Sequence, residues 1–278
     1  MENRIVLLNL ISEWQGCESR CLESGSRAVA AELFAGREYV DLTIPVCDTP
    51  SVRDDVFAFD CVLDQARHAL RSLEARSEER VFTVGGTCGA EAAPVAYLSH
   101  RYPDLGVIWL DAHGDLNTPA TSPSGHFHGM VLRTLLGDGP PDLTELLAPA
   151  LRPERVVVAG ARDLDVPERS FIDSAGIGLV QGWPPDTGDI IIARLHSAAV
   201  RHVYVHVDVD VFDPTTFGDA LFKVEGGPAP DSVAAAVRRI TSEFDLVGVG
   251  LVESCGRDET GPRALKAFAQ QAGVWPAY

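Results

Sequence analysis

Asp111, His113 and Asp115 stand at two-residue intervals directly after the apolar run 106–110. An extended chain sends residues i, i+2 and i+4 to one face, so this spacing predicts three converging side chains. A second pair, Asp208 and Asp210, follows the apolar run 203–207 in the same way, with Val207, Val209 and Val211 on the opposite face. Taken singly, each acid reads as a turn former or helix cap and the histidine as a hydrogen-bonded side chain. Together they make four carboxylates and an imidazole. Buried carboxylates without partners are costly, and the few nearby Lys and Arg cannot neutralise so many, whereas divalent ions can. A bridging carboxylate would hold two ions roughly 3.5 to 4 Å apart, the spacing of binuclear hydrolases that polarise a shared water. Oxygen-rich ligation with a single imidazole favours a hard or borderline ion such as Mn²⁺ over a structural Zn²⁺.

These residues need a frame, and the sequence predicts one. Strand-like runs occur at 5–10, 39–42, 81–84, 107–110, 156–159, 178–180, 202–207 and 246–252, with helical apolar spacing at 26–34, 56–73, 90–100, 129–136, 190–197, 232–244 and 261–272. Alternation of this kind predicts an α/β fold with three layers, a mainly parallel eight-stranded sheet covered by helices on both faces. The Pro- and Gly-rich patches at 138–141, 183–188 and 225–230 read as short loops, so residues 1–278 read as one domain. Ligands of open parallel sheets bind beyond the carboxyl ends of the strands. Polar clusters fall there five times: Gly85-Gly86-Thr87-Cys88, the Asp111 motif, Arg162-Asp163-Leu164-Asp165, Asp208-Val209-Asp210 and Glu253.

Composition narrows the partners. The apolar fraction of 46% and charged fraction of 23% over 278 residues suit a globular chain. A formal net charge of −17 disfavours nucleic acid and anionic membrane, and suits metal ions or a cationic substrate, although solubility alone would also explain it. Residues 1–4 followed by the run 5–10 read as the start of a first strand and not as a signal peptide, and no run has the length of a membrane span. A cytoplasmic location follows, in which the six cysteines (Cys17, Cys21, Cys47, Cys61, Cys88 and Cys255) are expected to be reduced and without a disulfide framework. Cys17 and Cys21 read as ordinary thiols.

The motifs Asp111-Ala112-His113-Gly114-Asp115-Leu116-Asn117, Ser124-Gly125-His126-Phe127-His128-Gly129, Asp208-Val209-Asp210-Val211-Phe212-Asp213-Pro214 and Val252-Glu253, in this order, resemble the arginase or ureohydrolase family of binuclear manganese enzymes. The resemblance covers nearly the whole chain. It implies an arginase-like catalytic domain with two Mn²⁺ ions, held by Asp111, His113, Asp115, Asp208 and Asp210, with Asp111 and Asp208 bridging. The family's Gly-Gly-Asp-His is replaced by Gly85-Gly86-Thr87-Cys88, so the sixth ligand is either a thiolate or missing, with Cys88 then a small buried residue. By the same resemblance His128 is the proton-shuttling histidine, Glu253 the acid that pairs with the guanidinium, and Asp210 also steadies the reacting centre.

The segment 162–168 resembles the arginase loop that recognises an α-amino group through Asp165, with Asp163 and Glu168 beside it; a turn with capping acids is the alternative. Asn117 and Ser124 match contacts to the α-carboxylate, where His126 replaces the usual Asn. The departures at Cys88 and His126 resemble those of the family's specialised branch in antibiotic biosynthesis. That branch implies Nω-hydroxy-L-arginine as substrate and hydroxyurea and L-ornithine as products. Hydrolysis of L-arginine to urea is the alternative, and a guanidino-ligand binding protein without turnover is the alternative outside enzymes. Assembly as a homo-oligomer is left open.

Overall fold

The computed structural model describes residues 6–44, 50–76 and 78–275. Ile5, residues 1–4 and Cys47, which figure in the expectations above, lie outside the described residues. Eight strands, β1 (Val6–Ile11), β2 (Val40–Asp41), β3 (Arg80–Gly85), β4 (Leu105–Leu110), β5 (Val156–Ala159), β6 (Gly178–Val180), β7 (His202–Asp208) and β8 (Asp245–Val252), form one sheet in the order β2-β1-β3-β8-β7-β4-β5-β6. Every pairing within it is parallel. The inner strands of such a sheet are buried on both faces and therefore read as continuous apolar runs, whereas the edge strands β2 and β6 are only partly buried and correspondingly short.

Alternation splits the strand side chains between two cores. Val107, Trp109 and Tyr204 pack with α2 (Phe59–Glu74), α3 (Ala92–Arg101), α4 (Val131–Leu135) and α5 (Pro141–Leu146). Ile108, Leu110, Val205 and Val207 pack on the other side with α1 (Cys21–Leu33), α7 (Thr187–Ser197), α8 (Pro230–Thr241) and α9 (Thr260–Gln271). The result is three layers. No helix among the described residues is long and apolar enough to cross a membrane.

The register places the site. Leu110 pairs with Val207 and with Ala159, and Asp208 pairs with Val252. The ends of β4, β5, β7 and β8 thus lie level, and the residues that follow them emerge side by side.

Two helices depart from the expected loops. α5 begins at Pro141, and α6 (Val166–Ala175) begins inside the segment read as a recognition loop or capped turn. Asp165 and Glu168 form a capping box at α6, each side chain accepting the other's backbone N–H. The cysteine expectation is also corrected. Cys61 is disulfide-bonded, while Cys17, Cys21, Cys88 and Cys255 are free.

Candidate metal centre

The ligating motifs converge, but not by strand alternation. β4 stops at Leu110, residues 111–113 bend, and Asp115 takes a left-handed φ of 52°. Asp208 ends β7 and Asp210 sits in a 3-10 turn, Val209–Val211. What brings the acids together is the level strand ends, from which each loop turns back on itself. These turns are fastened by the acids themselves. Asp111 Oδ1 accepts the His113 N–H at 2.7 Å, Asp208 Oδ1 accepts that of Asp210 at 2.7 Å, and Asp210 Oδ1 accepts that of Ala112 at 3.0 Å.

Two donor clusters result, and Asp111 belongs to both. In one, His113 Nδ1 lies 3.0 Å from Asp210 Oδ2 and 3.4 Å from Asp111 Oδ1. In the other, Cys88, Asp111 and Asp115 stand with His206, all four buried. Cys88 Sγ is 3.3 Å from Asp208 Oδ2, which joins Cys88 and Glu253 in a further overlapping group. Trp109 Nε1, on the strand below, donates to Asp111 Oδ2 and Asp115 Oδ2 at 3.2 Å each.

The electrostatics of this cluster call for cations. Burial pushes the carboxyls of Asp115 and Asp208 well above the usual range, and neighbouring acids push them further. Burial and the charge of Asp111 raise Asp210 to about 6. Burial also raises the Cys88 thiol, with Asp115 and Asp208 adding to the effect. Asp111 is the exception: burial acts upward, but the hydrogen bond and charge of His113 outweigh it and hold the carboxyl below its ordinary value. His113 is held well above the usual imidazole range, because Asp111 and Asp210 outweigh its burial. Arg162, whose guanidinium lies beside the acids, is engaged by the backbone, donating among others to the carbonyls of Gly160, Asp210 and Val224. Buried acids that share one proton-like partner, together with a thiol and a second imidazole, fit divalent ions.

Above the clusters opens a cavity of about 480 Å³, within the range of small-molecule sites. His113, Asp115, Asp208 and Asp210 line it together with Asn117, Ser124, His126 and His128. Asp163, Asp165 and Glu168 close another side. Asn117 Nδ2 donates to Asp165 Oδ2 at 2.9 Å, and Asp163, 70% exposed, lies 3.9 Å from His113 Nε2. Glu168 is buried, its two oxygens accepting the N–H groups of Leu116 and Asp165 at 2.9 Å each, so it braces the segment that carries Asp165. Ser124 Oγ accepts the His126 N–H at 3.2 Å, and His126 Nε2 faces Glu18 at 3.5 Å. Burial and the neighbouring His128 lower the His126 pKa.

His128 Nδ1 lies 3.5 Å from Glu253 Oε1, and its ring stacks on Phe222. Glu253 is 2% exposed with φ 66°; its Oε1 also accepts the Cys88 N–H at 3.0 Å, and its Oε2 has no partner. Four contributors were not anticipated from the sequence. Phe222 came from an unpatterned loop, and Cys17, read as an ordinary thiol, lines the cavity and groups with His128 and Glu253. His206 and Trp109 had a signal: each stands two residues before an Asp of the donor clusters, Asp208 at the end of β7 and Asp111 just past β4.

Comparison with known proteins agrees with this geometry. The Arginase family model matches residues 18–265. An arginase from Staphylococcus aureus (strain MRSA252) is 38% identical over 203 residues, covering 70% of this chain and 67% of that protein. The N(omega)-hydroxy-L-arginine amidinohydrolase of Streptomyces lavendulae is 32% identical over 213 residues, covering 73% and 72%. The native structure of the Bacillus caldovelox arginase superposes with a TM-score of 0.86 at 25% identity, over 99% of both chains. This chain belongs to the arginase family of metal-dependent amidinohydrolases, enzymes that cleave carbon–nitrogen bonds.

Proposed function

We propose that this enzyme hydrolyses the guanidino group of an amino acid, Nω-hydroxy-L-arginine in preference to L-arginine, giving hydroxyurea and L-ornithine in antibiotic biosynthesis in the cytoplasm. The observation that carries the reading is the pair of donor clusters sharing Asp111 at the floor of an acidic cavity. Cys88 and His126, where the family carries other residues, support the hydroxylated substrate, as does the Streptomyces lavendulae relative.

In this reading His113, Asp111, Asp210 and Asp208 hold one divalent ion and Cys88, Asp111, Asp115 and Asp208 a second, with Mn²⁺ the expected metal. Such ions, when bound, supply Lewis-acid activation of water. The protein supplies the rest. Asp165 and Asp163 take the α-ammonium, with Glu168 bracing Asp165, while Asn117, Ser124 and His126 face the α-carboxylate. Glu253 pairs with the guanidinium through its free Oε2, a charge-assisted contact. Water adds to the guanidino carbon as one of its protons passes to Asp210, whose carboxyl then steadies the tetrahedral carbon through hydrogen bonds with its nitrogens. His128 then delivers a proton to the δ-nitrogen, the carbon–nitrogen bond breaks, and ornithine leaves as the amine.

Arginase activity proper is the second reading, favoured by the 38% identity to the staphylococcal arginase. An assay of Nω-hydroxyarginine, arginine and agmatine for ornithine or putrescine release, with manganese supplied, decides. We expect hydroxyarginine to rank first. A decisive preference for arginine overturns the specialised reading, and binding without product overturns the enzymatic one.

A further inference from the structure

One imidazole beside the expected ligands has no role in the reaction as described. His206 lies on β7 two residues before Asp208, and its side chain is wholly buried. The ring lies flat on Trp109, centroids 3.5 Å apart and planes 7° from parallel. Its Nε2 faces Cys88 Sγ at 3.8 Å and Asp111 Oδ2 at 3.9 Å. Its Nδ1 has Glu91 Oε2 at 3.5 Å and no hydrogen-bond partner. Glu91 is itself wholly buried, held by the Tyr204 hydroxyl at 2.6 Å. It occupies space that only a glycine leaves: a Cβ on Gly250 of β8 would come within 1.7 Å of Glu91 Oε2.

We propose that His206, through Nε2, takes the place given above to Asp208 at the second position, so that Cys88, His206, Asp111 and Asp115 form a four-donor set whose preference is shifted from manganese toward a softer divalent ion such as zinc or cobalt. The proposal rests on reading the centre as binuclear. The donor atoms of these four residues all lie within 4.8 Å of one another. Around a four-coordinate zinc, donor atoms stand roughly 3.3 to 3.7 Å apart, so the 3.8 and 3.9 Å separations need only small closure. The surroundings match what orients a ligating histidine. Its other nitrogen faces a carboxylate, Glu91, as in carboxylate–histidine–metal arrangements, and the Trp109 face fixes the ring plane. In this dry interior Nδ1 has no hydrogen-bond partner and Nε2 meets only the weak sulfur partner of Cys88, a net cost for the imidazole. One thiolate and one imidazole make this set softer than the His113 position, which offers oxygens and a single imidazole, so the two positions are expected to differ in metal preference.

Metal-stripped full-length protein titrated with cobalt chloride tests this without substrate. The expected result is a near-ultraviolet thiolate-to-cobalt band with intense visible bands of four-coordination. His206→Gln is expected to weaken the cobalt binding that carries these bands by at least about tenfold, and Glu91→Gln to weaken it less, as outer partners of a ligand do. Absence of the thiolate band in the wild type, or unchanged cobalt affinity and spectrum in a folded His206→Gln protein, overturns the proposal. If His206→Gln does not fold, X-ray absorption of wild-type protein loaded with one zinc per chain replaces it. A sulfur together with an imidazole neighbour supports the proposal, and a zinc shell without sulfur overturns it. Because the readout is spectroscopic, failure to release ornithine would count against the proposed function alone, and a missing thiolate band with ornithine release against the ligand proposal alone.

Discussion

The two donor clusters, that of His113 with Asp210 and that of Cys88 with Asp115 and His206, share Asp111 alone. The His113 half opens on the cavity, its imidazole 30% exposed and its turn built from short loops. The Cys88 and His206 half is closed, with Trp109, Tyr204 and Glu91 packed beneath it and none of the six residues more than a few per cent exposed if Asp115 is counted with them. Burial alone separates their chemistry. In the open half a charged imidazole balances two carboxylates, whereas in the closed half burial drives the thiol and the Asp115 carboxyl toward their neutral forms. The open half is suited to meet substrate, whereas the closed half reaches the cavity only through Asp115.

The shared residue is where this division is most easily broken. Asp111→Asn removes one charge from both clusters at once, and metal content after manganese loading should fall from two ions per chain to below one. Metal activation is worth several kcal/mol, so kcat/KM should fall by roughly a thousandfold or more. Metal analysis and steady-state rates on the same preparation check both. Retention of two ions would show that the clusters do not depend on Asp111.

A narrower perturbation reaches the closed half only. Gly250→Ala forces Glu91 to move, since its Cβ would overlap the carboxylate. Overpacking of this kind destabilises by about 1 to 3 kcal/mol, readable as a lower urea midpoint. Total metal content should fall by at most one ion per chain and not two. Equal loss from both positions would mean that the halves are not separable.

How much of this was legible in the sequence follows from the same division. Apolar runs marked the inner strands because parallel strands there are buried on both faces, and polar residues after them marked the site. Alternation predicted convergence of Asp111, His113 and Asp115 for a reason the structure does not bear out, because the chain leaves the strand at Leu110 and Asp115 lies in a left-handed turn. His206 is the reverse case. It lies inside β7 and obeys alternation with Asp208, yet it escaped notice because it sits within an apolar run, where a single histidine looks like core. The recognition segment was missed as a helix start. Asp165-Val166-Pro167-Glu168 carries the capping signature and an early Pro, both local helix signals, but α6 offers a short and weakly apolar face, with few buried residues to announce it.

That segment gives the smallest predicted effect, and it bears on the open half alone. Asp165 both caps α6 and holds Asn117 Nδ2. Asp165→Ala should therefore cost about 1 kcal/mol of stability from the lost cap. It should raise KM for an α-amino substrate by roughly tenfold, the scale of one hydrogen bond to a charged group. Metal content and the cobalt spectrum should stay as in the wild type, since no donor of either cluster touches the residue. A guanidino acid that lacks the α-amino group, 5-guanidinopentanoate, offers the internal control: if the substitution raises its KM as much as that of arginine, Asp165 shapes the helix and not the choice of substrate.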